Sequence, residues 1–121
     1  MDYEALAKEV AENEGFSVDA RGKAPAGGYM VSRSGSERVI PGKASASDIA
    51  AYANDARTRQ FLSAGHRSRA FLGAWLENAG TEHEQTVMDL SQNFDSRKAA
   101  DLQAAIHGQR ATFNVSADWD S

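Results

Sequence analysis

The sequence predicts an α+β fold, an antiparallel sheet with helices on one face, and three observations carry that prediction. Apolar residues recur at helical spacing near the start, middle and end of the chain and alternate with period two between those segments. Residues 69–94 read as two apolar strands around a polar turn and hold Trp75, one of two tryptophans. From Val39 onward the elements run β-α-β-β-α-β, the order of a split βαβ unit. The expected architecture is therefore a ferredoxin-like core with an N-terminal helix and hairpin added, in a single domain spanning residues 1–121.

Taken in order, Asp2 caps a first helix whose buried stripe is Tyr3, Leu6, Ala7 and Val10, with Gly15 as its terminator. Phe16, Ser17 and Val18 alternate as a short strand, and residues 19–28, rich in glycine, form a loop. Residues 29–33 and 37–40 flank Ser34-Gly35-Ser36, a connection of hairpin length. Ser45 or Ser47 caps the next helix, where Ser45-x-x-Asp48 has the form of a capping box and Ile49, Tyr52, Ala53 and Ala56 make the buried stripe. Beyond Arg57 the periodicity loosens, though Phe61 and Leu62 still pack.

In the central hairpin both sides of the first strand are apolar, with Ala70, Leu72, Ala74 and Leu76 on one and Phe71, Gly73 and Trp75 on the other. That suits a central strand, with Trp75 expected as a core anchor and Gly73 leaving room for a bulky neighbour. The return strand carries Thr86, Met88 and Leu90 against Val87, Asp89 and Ser91. Asn93 or Asp95 caps a last helix with Ala99, Leu102, Ala105 and Ile106 as its stripe and Gly108 at its end. Residues 111–115 form a final strand, and an acidic tail follows with Trp119 as its anchor.

Composition narrows the chemistry. The 121 residues include no cysteine, which excludes a disulfide framework, a thiolate metal site and a cysteine nucleophile and fits a reducing, cytoplasmic compartment. No apolar run reaches the ~18 residues of a membrane span, and the acidic, amphipathic N-terminus is unlike a signal peptide. Asn114-Val115-Ser116 matches a glycosylation sequon and is read as chance. The net charge of −4 is unevenly spread: residues 1–20 carry −5, residues 21–69 carry +6 and residues 70–121 carry −5. Such blocks give a molecule an acidic face and a basic face.

Gly28-Tyr29-Met30-Val31-Ser32, Gly73-Ala74-Trp75, Met88-Asp89-Leu90-Ser91 and Gln109-Arg110-Ala111-Thr112-Phe113-Asn114-Val115 follow one another through most of the chain. On these stretches, from about residue 15 to residue 115, the chain resembles a small domain of uncharacterised function found in phage and other mobile-element proteins. Its turn between the G-x-W and D-x-S strands is longer and more acidic than that pattern. The resemblance implies an origin in a mobile element and brings no catalytic residues with it.

No other motif carries chemistry. His66, His83 and His107 lack partners at metal-ligand spacing, so no metal or cofactor is expected. Residues 22–28 lack the spacing of a phosphate loop, and no G-x-S-x-G or H-E-x-x-H is present. The chain is read as no enzyme but a protein that binds another protein, from the host or the phage. Its partner face would be an acidic surface of residues 77–101 and 118–120, with Glu77, Glu82, Glu84, Asp89 and Asp95 as contacts. The alternative is a nucleic-acid-binding module using Arg57, Arg59, Arg67 and Arg69. A third reading is self-association through an open sheet edge at residues 16–18 or 111–115.

Overall fold

Two long strands, β4 (Ala70–Glu77) and β5 (Gln85–Phe94), pair antiparallel along the whole of β4 and form the middle of a six-stranded sheet. The computed structural model describes residues 1–63, 69–106 and 113–114. The expectations placed on His66, Arg67, His107, Gly108, residues 111–112 and 115–116, the acidic residues 118–120 and Trp119 lie outside the described residues.

β1 (Gly15–Val18) lines the outer side of β4, and β2 (Tyr29–Ser32) pairs with the far half of β5 and with β6 (Phe113–Asn114). β3 (Arg38–Pro41) pairs with the near half of β5. Every pairing is antiparallel, so the fold class is α+β as read from the sequence. The ferredoxin-like core is not what the pairings give. β3 runs antiparallel to β5, and β6 pairs with β2, outside the predicted core.

The expected hairpin at residues 29–40 also differs. Ser32 stands opposite Ser91 and Arg38 opposite Met88, so β2 and β3 run in one direction along the same edge of β5. The residues between them bulge outward. The Ser36 N–H donates to the Arg33 carbonyl at 3.2 Å, Gly35 takes φ +80°, and the Arg33 N–H returns at once to the Leu90 carbonyl. The Leu90 N–H meets the Ser36 hydroxyl instead of a backbone carbonyl, so the bulge supplies a partner for this buried donor of β5.

The helices follow their caps. In α1 (Tyr3–Asn13) Asp2 accepts from the Ala5 N–H at 3.1 Å, but the left-handed terminator is Glu14, at φ 65°, rather than Gly15. Gly15 serves β1 instead, where a Cβ would stand 2.5 Å from the Ala74 carbonyl oxygen. α2 (Ala46–Ala53) has a reciprocal Ser45–Asp48 capping box. Asp55 restarts the chain as α3 (Ala56–Ser63) by accepting from the Arg57 N–H at 3.0 Å. Before α4 (Arg97–Ile106), Ser96 accepts from the Ala99 N–H, the role expected of Asn93 or Asp95.

Leu6, Val10, Val18, Ile49, Tyr52, Leu62, Leu72, Leu76, Met88 and Leu90 join in one core between α1, α2, α3 and one face of the sheet. By strand parity α4 sits on that same face, where Ala100 is fully buried against Val31 beside Tyr29 and Phe94. Its predicted stripe is displaced, since Leu102 is 62% exposed and Ala105 is exposed. Among the described residues, no helix is long and apolar enough to cross a membrane.

Candidate functional site

The face opposite the helices carries Phe71, Gly73 and Trp75 of β4, Val87, Asp89 and Ser91 of β5, and Met30 and Ser32 of β2. Period-two alternation places them there, and the register sets them in rows: Ser17 beside Gly73 beside Asp89, and Ser32 beside Ser91. Trp75 is half-buried on this face rather than anchoring the core, and its indole N–H donates to Glu77 Oε1 at 3.1 Å.

Asp89 is the chemical centre of the face. It is 3% exposed and accepts a hydrogen bond from the Ser32 hydroxyl, whose oxygen lies 3.4 Å from that of Ser91. Burial pushes its carboxyl above the ordinary 3.8, the Ser32 hydrogen bond opposes the shift, and the charge of Glu37 adds to it. Gly73 makes this placement possible, because a Cβ there would stand 2.8 Å from Asp89 Oδ1. The carboxylate therefore leans into the space that a side chain on the neighbouring strand would fill.

Residues 19–28 are held close to this face. The Asp19 carboxylate accepts from the backbone N–H groups of Arg21 and Lys23 at 2.8 and 3.0 Å, and Asn93 donates to the Gly27 carbonyl at 2.8 Å. Between this loop, α1 and the sheet lies a groove of about 680 Å³ whose lining includes Phe16, Pro25, Met30, Trp75 and Asp89. Its residues come from α1, from β1 and from the face opposite the helices, so it runs along the outer edge of β1. Glu9, Glu14 and Asp89 contribute carboxylates, and among the described residues of the lining there is no Lys, Arg or His.

The five acidic residues expected on one partner face are not brought together. Glu77 accepts from Trp75 and Gln85, Glu84 from the Gly80 N–H, and Glu82 is exposed in the turn beside His83. Asp95 lies past the other end of β5, paired with Arg69 at 3.0 Å. Asp89 is buried, packed over Gly73 beside Ser32 and Ser91. The basic residues divide as well. Arg57 joins Arg33 and Arg38 around a second groove of about 640 Å³ between residues 33–38 and α3, Arg59 lines a different hollow, and Arg69 is occupied by Asp95. In that second groove Arg33 lies over the Phe61 ring and Arg38 over Tyr52, with Arg38 also paired to Asp55 at 3.3 Å. Among the described residues no group of three His, Asp or Glu side chains converges as a metal site.

Ser17, Ser32, Glu9 and Glu14 were not singled out by the sequence reading. A signal was present, since Gly28-Tyr29-Met30-Val31-Ser32, Gly73-Ala74-Trp75 and Met88-Asp89-Leu90-Ser91 each send a residue to this one face. No family model, curated protein or solved structure matches the chain.

Proposed function

We propose that the chain is a non-enzymatic accessory protein of a phage or other mobile element that works by holding a host or phage protein, and that its partner face is the groove along β1. The supporting observation is the composition of that groove: an apolar lining with three carboxylates, one of them buried, and no Lys, Arg or His among the described residues of the lining. Apolar walls supply area, and the carboxylates of the lining select a basic segment. The Asp89 carboxylate is engaged by the hydroxyl of Ser32, an arrangement that fixes a hydrogen-bond acceptor in place.

A tagged pull-down from lysate of the source cells, with and without nuclease, tests this. A protein retained after nuclease by the wild type and lost with Trp75→Ala combined with Asp89→Asn supports the proposal. Retention only of nuclease-sensitive material overturns it. That outcome favours the second reading, nucleic-acid binding, for which the stacked guanidinium groups of Arg33 and Arg38 beside Arg57 are better disposed than Arg59, in a different hollow, or Arg69, paired with Asp95.

A further inference from the structure

The groove lies where a seventh strand would lie. β1 pairs with β4 on one side, and among the described residues no strand covers its other side. The Leu76 N–H donates to the Glu14 carbonyl at 2.9 Å, which makes Glu14 and Leu76 a hydrogen-bonded pair of the antiparallel ladder. By alternation, Phe16 with Ala74 and Val18 with Leu72 are the next such pairs. Gly15 and Ser17 therefore direct their N–H and C=O groups away from the sheet, into the groove.

The row across the sheet at Ser17 is a trough. Ser17 is small, Gly73 has no side chain, and Asp89 closes the far end with its carboxylate leaning over Gly73. Strands lie about 4.8 Å apart, so a strand added outside β1 is about 10 Å from Gly73; an extended Lys or Arg spans most of that, and a charge-assisted bond of about 2.8 Å closes the rest.

We infer that the partner binds by strand addition: an extended basic segment pairs with the outer edge of β1 through Gly15 and Ser17, and lays one Lys or Arg side chain across Ser17 and Gly73 onto Asp89. This rests on the peptide-holding reading above and specifies its geometry. Backbone pairing supplies affinity independent of sequence, and the Asp89 trough supplies selectivity for the basic side chain. Trp75 and Pro25 flank the position and receive its apolar neighbours.

The test is to pan displayed random peptides on the full chain and to measure the best synthetic peptide by titration and amide hydrogen exchange. The expected winners alternate apolar residues around one Lys or Arg, and binding slows exchange at Gly15 and Ser17. Ser17→Pro removes a donor that points outward, so the native ladder keeps its bonds while peptide affinity falls about tenfold or more. Asp89→Asn loses the preference for the basic residue. Peptides that bind without protecting Gly15 and Ser17 overturn strand addition and leave the peptide-holding reading standing, and the exchange result decides this even if a variant fails to fold. No enriched peptide overturns both. A chain that sediments as a dimer with the same two amides protected assigns the edge to a second copy and overturns the proposal.

Discussion

The two faces of the β4–β5 hairpin come from one stretch of alternating residues and have opposite characters. On the helix side Ala70, Leu72, Ala74, Leu76, Met88 and Leu90 lie within one continuous core, and the polar member, Thr86, is satisfied by the Ala44 N–H and the Gly42 carbonyl. The other set, Phe71, Gly73, Trp75, Val87, Asp89 and Ser91, mixes rings, a missing side chain and buried polar groups. Burial alone does not separate them, since Leu72 is 0% and Asp89 3% exposed. What separates them is what burial does. On the helix side it removes apolar surface from water and stabilises the fold. On the groove side it desolvates a carboxylate, which opposes folding and is retained where a binding site uses it.

The sharpest way to break this comparison is to cut each face once. Leu72→Ala removes a fully buried side chain from the centre of the core and should cost about 2–5 kcal/mol in urea unfolding. Trp75→Ala removes a larger side chain, yet from a half-buried position, and should cost only about 1–2 kcal/mol while abolishing capture of the partner. Equal losses would mean that the groove side is a second core.

Asp89→Asn sharpens the contrast through a sign. The folded protein holds the Asp89 carboxyl above its ordinary 3.8, so folding favours the protonated form. That contribution is fully present below the unfolded value and is lost as pH rises through the folded one. The stability of the wild type relative to the Asn variant should therefore fall as pH is raised from about 3.5 toward neutrality in urea titrations. A relative stability that rises with pH would show a carboxylate stabilised as an anion, and the two faces would then differ in composition only.

How much of this was legible in the sequence follows from the range of the signals. Caps and periodicity are local, and Asp2, Ser45 with Asp48, and the alternation of residues 70–76 and 86–91 all read correctly. Pairing partners are not local. Ser34-Gly35-Ser36 has the composition of a hairpin turn, and only the long β5, wide enough for both β2 and β3 on one edge, decides that the chain bulges instead of reversing. Trp75 failed as a core anchor for a related reason. An apolar residue on an alternating strand marks a face, and which face the helices cover depends on where α1, α2 and α3 dock. Asp89 was noted, but the residues that surround it, Gly73, Ser32 and Ser91, meet it only in the fold.

The smallest expected effect tests the comparison from outside both faces. Asp95 is 85% exposed and its pair with Arg69, though only 3.0 Å long, joins two solvated side chains. Asp95→Ala should therefore cost less than about 1 kcal/mol, and the loss should shrink further at high salt. It should also leave partner binding unchanged, because Asp95 lies beyond the end of β5 and does not line the groove. The charge it removes is the same unit that Asp89→Asn removes, so binding measurements on the two variants compare equal charge at different places. Loss of binding with Asp89→Asn alone ties recognition to the trough beside Gly73. Equal loss with both variants would mean that the partner responds to the total charge of an acidic surface, as the sequence alone predicted, and the distinction between the two faces would then carry no functional meaning.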